Sequence, residues 1–434
     1  MKAPTQEDYA SRASDSQIRR FMAVRRFTER LVEPLTPEDC MVQSMDDASP
    51  TRWHLAHTTW FFETFALCDE PGYRVFDQHF AYLFNSYYNS LGQQFPRPAR
   101  GVISRPGLEQ IRQYRHHVEH AIVSRLESSE YAERLKLILE IGIQHEQQHQ
   151  ELILTDIKHA LSCNPICPAY VGHGFDSTSV HAAENIVVEP GNYEVGHSDN
   201  RFSYDNESPR HTVYLPGCSV SRDLVTCGEY LAFMNDGGYQ RPDLWLSLGW
   251  NTVQKERWSA PLYWVEKDGV WMQFTLAGMV PINTSWPVCH VSLFEADAFA
   301  RWSGKRLPTE FEWEVAADRL SAAGDSPEPF ADHFVQNDLC IHPTRSSPRL
   351  LGGVWQWTSS SYSPYPGYRP AAGALGEYNG KFMCNQYVLR GGSVATHSSH
   401  IRTTYRNFFP ADTRWQFTGI RLAQDIEQPG GAQT

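Results

Sequence analysis

The segment His145-Glu146-Gln147-Gln148-His149 places two imidazoles four residues apart inside an apolar-periodic run. On a helix, such residues stand one above the other, close enough to share one divalent metal ion. The same letters read H-E-x-x-H, the pattern in which the intervening glutamate, here Glu146, activates a zinc-bound water. The chain lacks the downstream helix glutamate or H-x-x-G-x-x-H continuation that would complete a zinc-protease signature. The other chemistry is oxygen activation, in which three neutral imidazoles on one face of Fe(II) leave about three positions open. Spacing alone does not separate the two. A third ligand must come from elsewhere, and His54 and His57 on a preceding helix both qualify. His116, His117 and His120 form a second cluster, read as solvent-facing or hydrogen-bonded.

Four runs with helical spacing position these residues: about 16–32, a second opening at Ser49-Pro50, about 107–126 and about 132–161. Ser49 reads as N-cap with Pro50 at the first helical position. A bundle of four such helices builds metal sites from inward-facing side chains. Between the second and third helices runs a long aromatic segment from Tyr82 to Gly101, the length of a functional loop. From about residue 184 the texture changes to short strand-like pieces broken by Gly, Pro, Asn and Asp. One clear helix, about 293–303 with Ser292 as its N-cap, interrupts them, and no solenoid repeat is visible. The expected organisation is α+β and multidomain: a helical bundle over 1–163, a linker over 164–183, a second domain over 184–427 and a frayed tail over 428–434.

The bulk numbers narrow the function classes. With 38 basic and 50 acidic residues, the formal net charge of -12 argues against non-specific binding to nucleic acid or anionic membrane. No apolar run reaches the roughly 18 residues of a membrane helix. The start, Met1-Lys2-Ala3-Pro4, lacks the apolar core of a signal peptide, and the nine cysteines include no CxxC pair. Reduced thiols and a cytoplasmic location are the expectation. The 13 Trp, 20 Tyr and 22 Phe are enough both to fill a core and to line a pocket for a cationic ligand.

Trp53-His54-Leu55-Ala56-His57 together with His145-Glu146-Gln147-Gln148-His149-Gln150-Glu151 resembles the metal-binding domain of the iron-dependent sulfoxide synthases of ergothioneine biosynthesis, a DinB-like four-helix bundle. The remainder resembles a formylglycine-generating-enzyme-type domain, a C-type-lectin-like fold. That likeness is carried by Asp205 to His211, Pro287 to Ser292, Gly304 to Glu314, Gly353 to Thr358, Leu389 to Ser393 and Gly419 to Ala423. Each half alone serves many functions; the combination is far more specific. Formylglycine-generating enzymes use a cysteine pair shortly after the R-G-G-S motif, and Val394 to Ile401 contains none. No appended methyltransferase segment is seen, which speaks against an ovothiol-type synthase.

The resemblance implies Fe(II) as cofactor and His57, rather than His54, as the third ligand beside His145 and His149. It implies a reaction that joins the sulfur of a cysteine-type thiol to the imidazole C2 of Nα-trimethylhistidine (hercynine), using O2 and leaving a sulfoxide. Iron would acidify the thiol and hold the reactants at reacting distance. Arg97 and Arg100 resemble binders of the thiol's carboxylate, for which two guanidinium forks are suited. Gln148 and Asn407 resemble polar contacts to hercynine, and Phe408 with nearby Trp415 could face its trimethylammonium group. At Phe409, relatives using γ-glutamylcysteine look to carry an aspartate, so free cysteine is the favoured donor. For the proton-donating tyrosine, Tyr87 and Tyr88 in the long loop come first, Tyr362 and Tyr365 second. The site is expected where the two domains meet, a common place for ligand pockets. The alternatives are a selenoneine-type synthase using a selenosugar and a zinc-dependent hydrolase or thiol transferase.

Overall fold

The computed structural model describes residues 6–127, 129–172, 184–322, 341–344, 350–370, 376 and 379–426. Residues 173–183 of the expected linker and the expected tail 428–434 lie outside the described residues. The chain divides into two compact units, Met1–Ile166 and Cys167–Thr434. Among the described residues, no helix is long and apolar enough to cross a membrane.

The first unit contains α1 (Gln6–Val32), α2 (Thr51–Phe62), α3 (Phe80–Leu83), α4 (Leu108–Leu126) and α5 (Ser129–Ser162). Helix α2 packs against α4 and α5, while α1 packs along α5, giving the expected four-helix bundle. All twelve residues of α2 are buried, so this helix is the centre of the unit. Its polar side chains must therefore find partners inside the protein. Thr58 and Thr59 donate to the Leu55 carbonyl, and Arg52 donates to the Ile103 carbonyl.

The start of α2 differs from the expected cap. The helix begins at Thr51, Pro50 is the flanking residue, and no side chain caps the end. Ser49 is engaged elsewhere: its N–H donates to Asp156 and its hydroxyl accepts from Arg100. A buried guanidinium competes successfully for the hydroxyl that a cap would have used. Beyond Phe62 the helix continues as a π-turn over Glu63–Leu67. Buried Glu63 there receives the hydroxyls of Tyr73 and Tyr114, both at 2.6 Å.

Gly142 sets how closely α5 approaches α2. A Cβ at this position would stand 2.3 Å from Phe62 Cε1, well inside contact distance. The long segment after α2 is ordered as α3 and two 3₁₀ turns, Asn89–Leu91 and Arg97–Val102.

The second unit has strands β1 (Ile186–Val188), β2 (Gly191–Val195), β3 (His211–Leu215), β4 (Cys218–Leu224), β5 (Trp264–Lys267) and β6 (Val270–Thr275). They are followed by β7 (Gly278–Pro281), β8 (Trp355–Ser361), β9 (Tyr387–Arg390), β10 (Asn407–Phe409), β11 (Thr418–Gly419) and β12 (Arg421–Asp425). Two small sheets, β2-β3 and β5-β6-β7, accompany a sheet ordered β1-β4-β12 and a four-stranded sheet ordered β10-β9-β8-β11. Only the β8–β11 pair is parallel among the described strands. An aromatic-rich core, including Tyr230, Phe233, Phe299, Trp355 and Trp357, fills this unit.

The expectation of a single helix here is corrected: the described residues contain four, α6 (Cys227–Asn235), α7 (Ser247–Glu256), α8 (Leu293–Trp302) and α9 (Glu310–Ala322). Ser292 does cap α8, in a reciprocal box with Glu295. The same Ser/Thr-x-x-Glu device opens α6 through Thr226 and Glu229, and α9 through Thr309 and Glu312. Short helices rich in aromatic residues imitate strands when read by composition, and the caps were the better signal.

Replacing Gly142 with alanine drives a methyl group into Phe62. The expected cost is about 1–3 kcal/mol of overpacking, read as a lower urea midpoint with an unchanged slope.

Candidate metal centre

His57 on α2 and His145 and His149 on α5 converge in the interior of the first unit. One ring nitrogen from each lies within 4.8 Å of the other two, and all three residues are buried. Among the described residues this is the one cluster of His, Cys, Asp and Glu with metal-binding spacing. His145 and His149 are one turn apart on α5, and their ring centroids are 4.6 Å apart.

Hydrogen bonds fix what the His57 ring can offer. Its Nδ1 lies 2.6 Å from the Phe84 carbonyl, which can only accept, so the ring proton sits on Nδ1. Nε2 is then a bare lone pair, buried, with no hydrogen-bond partner among the described residues. An orphaned acceptor in a dry core is costly unless something binds it, and a metal ion is what this donor set suits. Aromatic rings hold the imidazole in place. Trp53 and Trp60, one turn before and after it, stack at 4.5 and 5.6 Å, nearly parallel. Phe61 lies 4.7 Å from His145.

Burial keeps all three rings neutral. It pushes His145 down to about 3 against the opposing pull of Glu146. It also pushes His57 and His149 well below the usual imidazole value, and the neighbouring His145 lowers each further. Neutral imidazole is the form that binds a metal.

His54, the rival third ligand, turns away from the cluster's centre. Its Nδ1 lies 2.8 Å from His149 Nδ1 and its Nε2 3.1 Å from Asp156 Oδ2. His116, His117 and His120 are exposed on α4, as the sequence implied.

Glu146 does not face the histidines. One residue on from His145, it is rotated by about 100° on the helix and meets α1 and α4 instead. Arg25 lies 2.9 Å from its Oε2, while Thr28 and Arg115 reach Oε1 at 2.7 and 3.1 Å. Burial raises its carboxyl, but the two guanidinium groups win and hold it down at about 2. A carboxylate locked in a buried ion network cannot serve as general base on metal-bound water. The hydrolase reading of H-E-x-x-H loses its catalytic group on this geometry.

The two arginines of the expected pair are placed differently. Arg97 is half-exposed, donates to the Asp47 carbonyl and lies 3.8 Å from the Asp47 carboxylate. Arg100 is buried, its guanidinium 3.4 Å above the Trp53 ring and bonded to the Ser49 and Ser86 hydroxyls at 2.9 and 3.3 Å. Asp47 holds one outward while the indole face draws the other in. Burial pushes Arg100 down to about 9.

Gln148, half-buried, follows His145 by three residues on α5. Tyr88 is fully buried against Phe65 at 5.2 Å and Trp60 at 5.6 Å, and half-buried Tyr87 stacks on it at 4.7 Å. In the second unit, Asn407, Phe408 and Phe409 form β10, the edge strand of its sheet, and all three are half-buried. Successive strand residues face opposite ways. Phe408 accordingly stacks on Tyr362 at 4.1 Å, whereas Trp415 meets Phe409 at 6.0 Å. The Tyr362 hydroxyl accepts from Asn206; that of Tyr365 accepts from Arg390 and donates to Glu310, while Arg406 lies over its ring. Burial raises both phenols. Tyr365 is thus tied into a buried ion network of the fold.

Sequence reasoning missed Asp156 and the Phe84 carbonyl. Asp156 had a signal, since it lies seven residues, two turns, beyond His149 on the same helix face. The carbonyl had none.

Two outcomes follow from these charges. Replacing Glu146 with leucine removes the buried carboxylate that Arg25 and Arg115 share and leaves them only the less buried Glu119 and Glu29, at an expected cost of up to about 3 kcal/mol, measurable as a lower denaturation midpoint. The folded imidazoles titrate below their unfolded value of about 6.5, so between those values the unfolded chain binds more protons. Stability of the metal-free protein therefore rises with pH through that window and is lost on acidification from pH 7 towards 5. Denaturant midpoints at a series of pH values check the sign.

Residues 20–153 match the family model of the DinB superfamily. Residues 174–338 and 348–426, over half the chain, match the sulfatase-modifying factor enzyme 1-like domain. Hercynine oxygenase of Mycobacterium tuberculosis is 32% identical over 308 residues, 65% of this chain and 70% of that protein. The hercynine oxygenase of Mycolicibacterium smegmatis is 33% identical over 307 residues, 65% of this chain and 71% of its own length. The formylglycine-generating enzyme of Streptomyces coelicolor is 28% identical over 284 residues, 53% of this chain and 85% of that protein. That relative aligns with little more than half of this chain, whereas the oxygenases share about two thirds of it. With both domain types present and a buried three-histidine cluster in the first, the chain belongs to the hercynine oxygenase family.

Proposed function

We propose that this protein is an Fe(II)- and O2-dependent sulfoxide synthase. In this reading it joins a cysteine-type thiol to the imidazole C2 of hercynine, as in ergothioneine biosynthesis. One observation carries the reading: a buried His57 Nε2 with no hydrogen-bond partner among the described residues, beside His145 and His149, in a chain similar to proteins named hercynine oxygenase. Bound there, iron would acidify the thiol and activate dioxygen, with about three coordination positions left for reactants. Zinc suits imidazole equally well, but Glu146 is unavailable to the hydrolytic chemistry zinc would need here.

The protein's own residues supply orientation. Arg100 is a buried cation whose hydrogen bonds go to two hydroxyls, and its Nε has no acceptor among the described residues. Such a group is a receptor awaiting an anion, and the carboxylate of the thiol substrate is the anion this reading assigns to it. Arg97, held by Asp47, is left a weaker, outer role in drawing that carboxylate in. Gln148 is assigned to the hercynine imidazole, Asn407 to a polar contact with the same substrate and Phe408 to its trimethylammonium group. Phe409 carries no charge to pair with a second ammonium, which favours free cysteine over γ-glutamylcysteine. Tyr87 or Tyr88 is assigned the proton that completes the reaction, on the strength of the Tyr88 ring packing against Trp60, which itself stacks on His57.

The test is anaerobic Fe(II) reconstitution followed by oxygen uptake with hercynine plus cysteine, γ-glutamylcysteine or a selenosugar. Cysteine is expected to give the fastest uptake, with a sulfoxide product. Full turnover with zinc and without oxygen would overturn the reading. Fastest turnover with the selenosugar would reassign it to carbon–selenium bond formation. The Arg100→Leu variant should raise the thiol KM by 10-fold or more, given about 1.5–3 kcal/mol for a charged hydrogen bond. Phe409→Asp should shift preference towards γ-glutamylcysteine. Tyr87→Phe or Tyr88→Phe should divert oxidation to the thiol alone.

A further inference from the structure

His54 was the competing candidate for third ligand, and the geometry gives it different work. Asp156 Oδ2 lies 2.8 Å from the Ser49 N–H and 3.1 Å from His54 Nε2. A carboxylate oxygen accepts, so the His54 ring proton faces it from Nε2. The other nitrogen of a neutral His54 ring, Nδ1, is then an acceptor. It sits 2.8 Å from His149 Nδ1, a separation that one proton must bridge. That proton belongs to His149, and the lone pair of His149 is thereby placed on Nε2. Every bond in the chain points the same way, from His149 through His54 to Asp156.

We infer that His54 and Asp156 form a buried outer relay that sets the tautomer of His149 and fixes its ring for metal binding. Neither touches the reacting atoms; both are positioning residues. The inference rests on the reading of His57, His145 and His149 as a metal site and adds residues which that reading does not contain.

Several observations support a built relay over a chance contact. His54, His149 and Asp156 are all buried, so their hydrogen bonds do not compete with water. His149 and Asp156 lie two turns apart on α5 and His54 reaches between them from α2, so the relay joins the two helices that carry the ligands. His57 is set by a different device, the Phe84 carbonyl, with the same result: its proton on Nδ1 and its lone pair on Nε2. Two ligands from two helices are thus prepared with Nε2 free. Outer partners of metal-bound histidines commonly change affinity by 10–100-fold when removed.

The experiment uses the full chain and two metals, Fe(II) under anaerobic conditions and Co(II), the latter read by its visible absorption bands. His54→Leu, close in bulk but unable to accept, is expected to weaken binding of both metals by about 10–100-fold. His54→Asn, whose side-chain oxygen can take the place of Nδ1, is expected to recover most of that loss. Independently of any variant, ring-15N-labelled metal-free wild type should show the His149 proton on Nδ1 and the His54 proton on Nε2. Tight metal binding by wild type with unchanged affinity in His54→Leu, or the opposite tautomers in the wild type, overturns this inference and leaves the metal site standing. Failure of wild type to bind either metal overturns both. Should His54→Leu not fold, the tautomer measurement on wild type decides alone.

Discussion

Three imidazoles lie inside a helical core where water cannot solvate their ring nitrogens. Each ring has one N–H to satisfy and one lone pair to present, and a ring set the wrong way round would bury a proton where a ligand is needed. The first unit is organised around this constraint. The Phe84 carbonyl takes the His57 proton, and His54 with Asp156 takes that of His149. Trp53 and Trp60 clamp the face of His57, and Gly142 lets α5 come close enough to α2 for the rings to meet.

Charge is handled by separation. The carboxylate inside the histidine motif, Glu146, turns from the ligand cluster towards α1 and α4 and is neutralised by Arg25 and Arg115. Breaking such a buried network leaves an uncompensated charge, which makes it a strong constraint on how α1 and α4 sit against α5. Glu146 is consequently kept out of the ligand cluster, and the three-histidine set is neutral. Beside that set the nearby cation is Arg100, stacked on Trp53, itself stacked on His57. A neutral ligand set beside a buried guanidinium suits an anionic substrate better than a second acidic ligand would.

The second unit solves a different problem, that of building a large domain from short strands. Helices α6, α8 and α9 are opened by Ser/Thr-x-x-Glu boxes, and its interior is held by buried ion networks such as Glu310 with Arg390 and Arg406. Tyr365 is used up in that network, and Tyr362 in stacking on Phe408.

By itself the sequence determined the helical bundle, the α5 histidine pair and the change of texture near residue 184, because periodicity and i,i+4 spacing are local properties of the chain. It also carried the family likeness that favoured His57. Other features became visible only with the packing: the division of labour between His54 and His57, the turning of Glu146 away from the site and the inward rotation of Arg100 alone. Each depends on which atoms of distant residues, such as Phe84, Asp156, Arg25 and Trp53, come within hydrogen-bonding or stacking distance. Linear spacing says which side of a helix a residue occupies; what waits on that side is decided by the other helices.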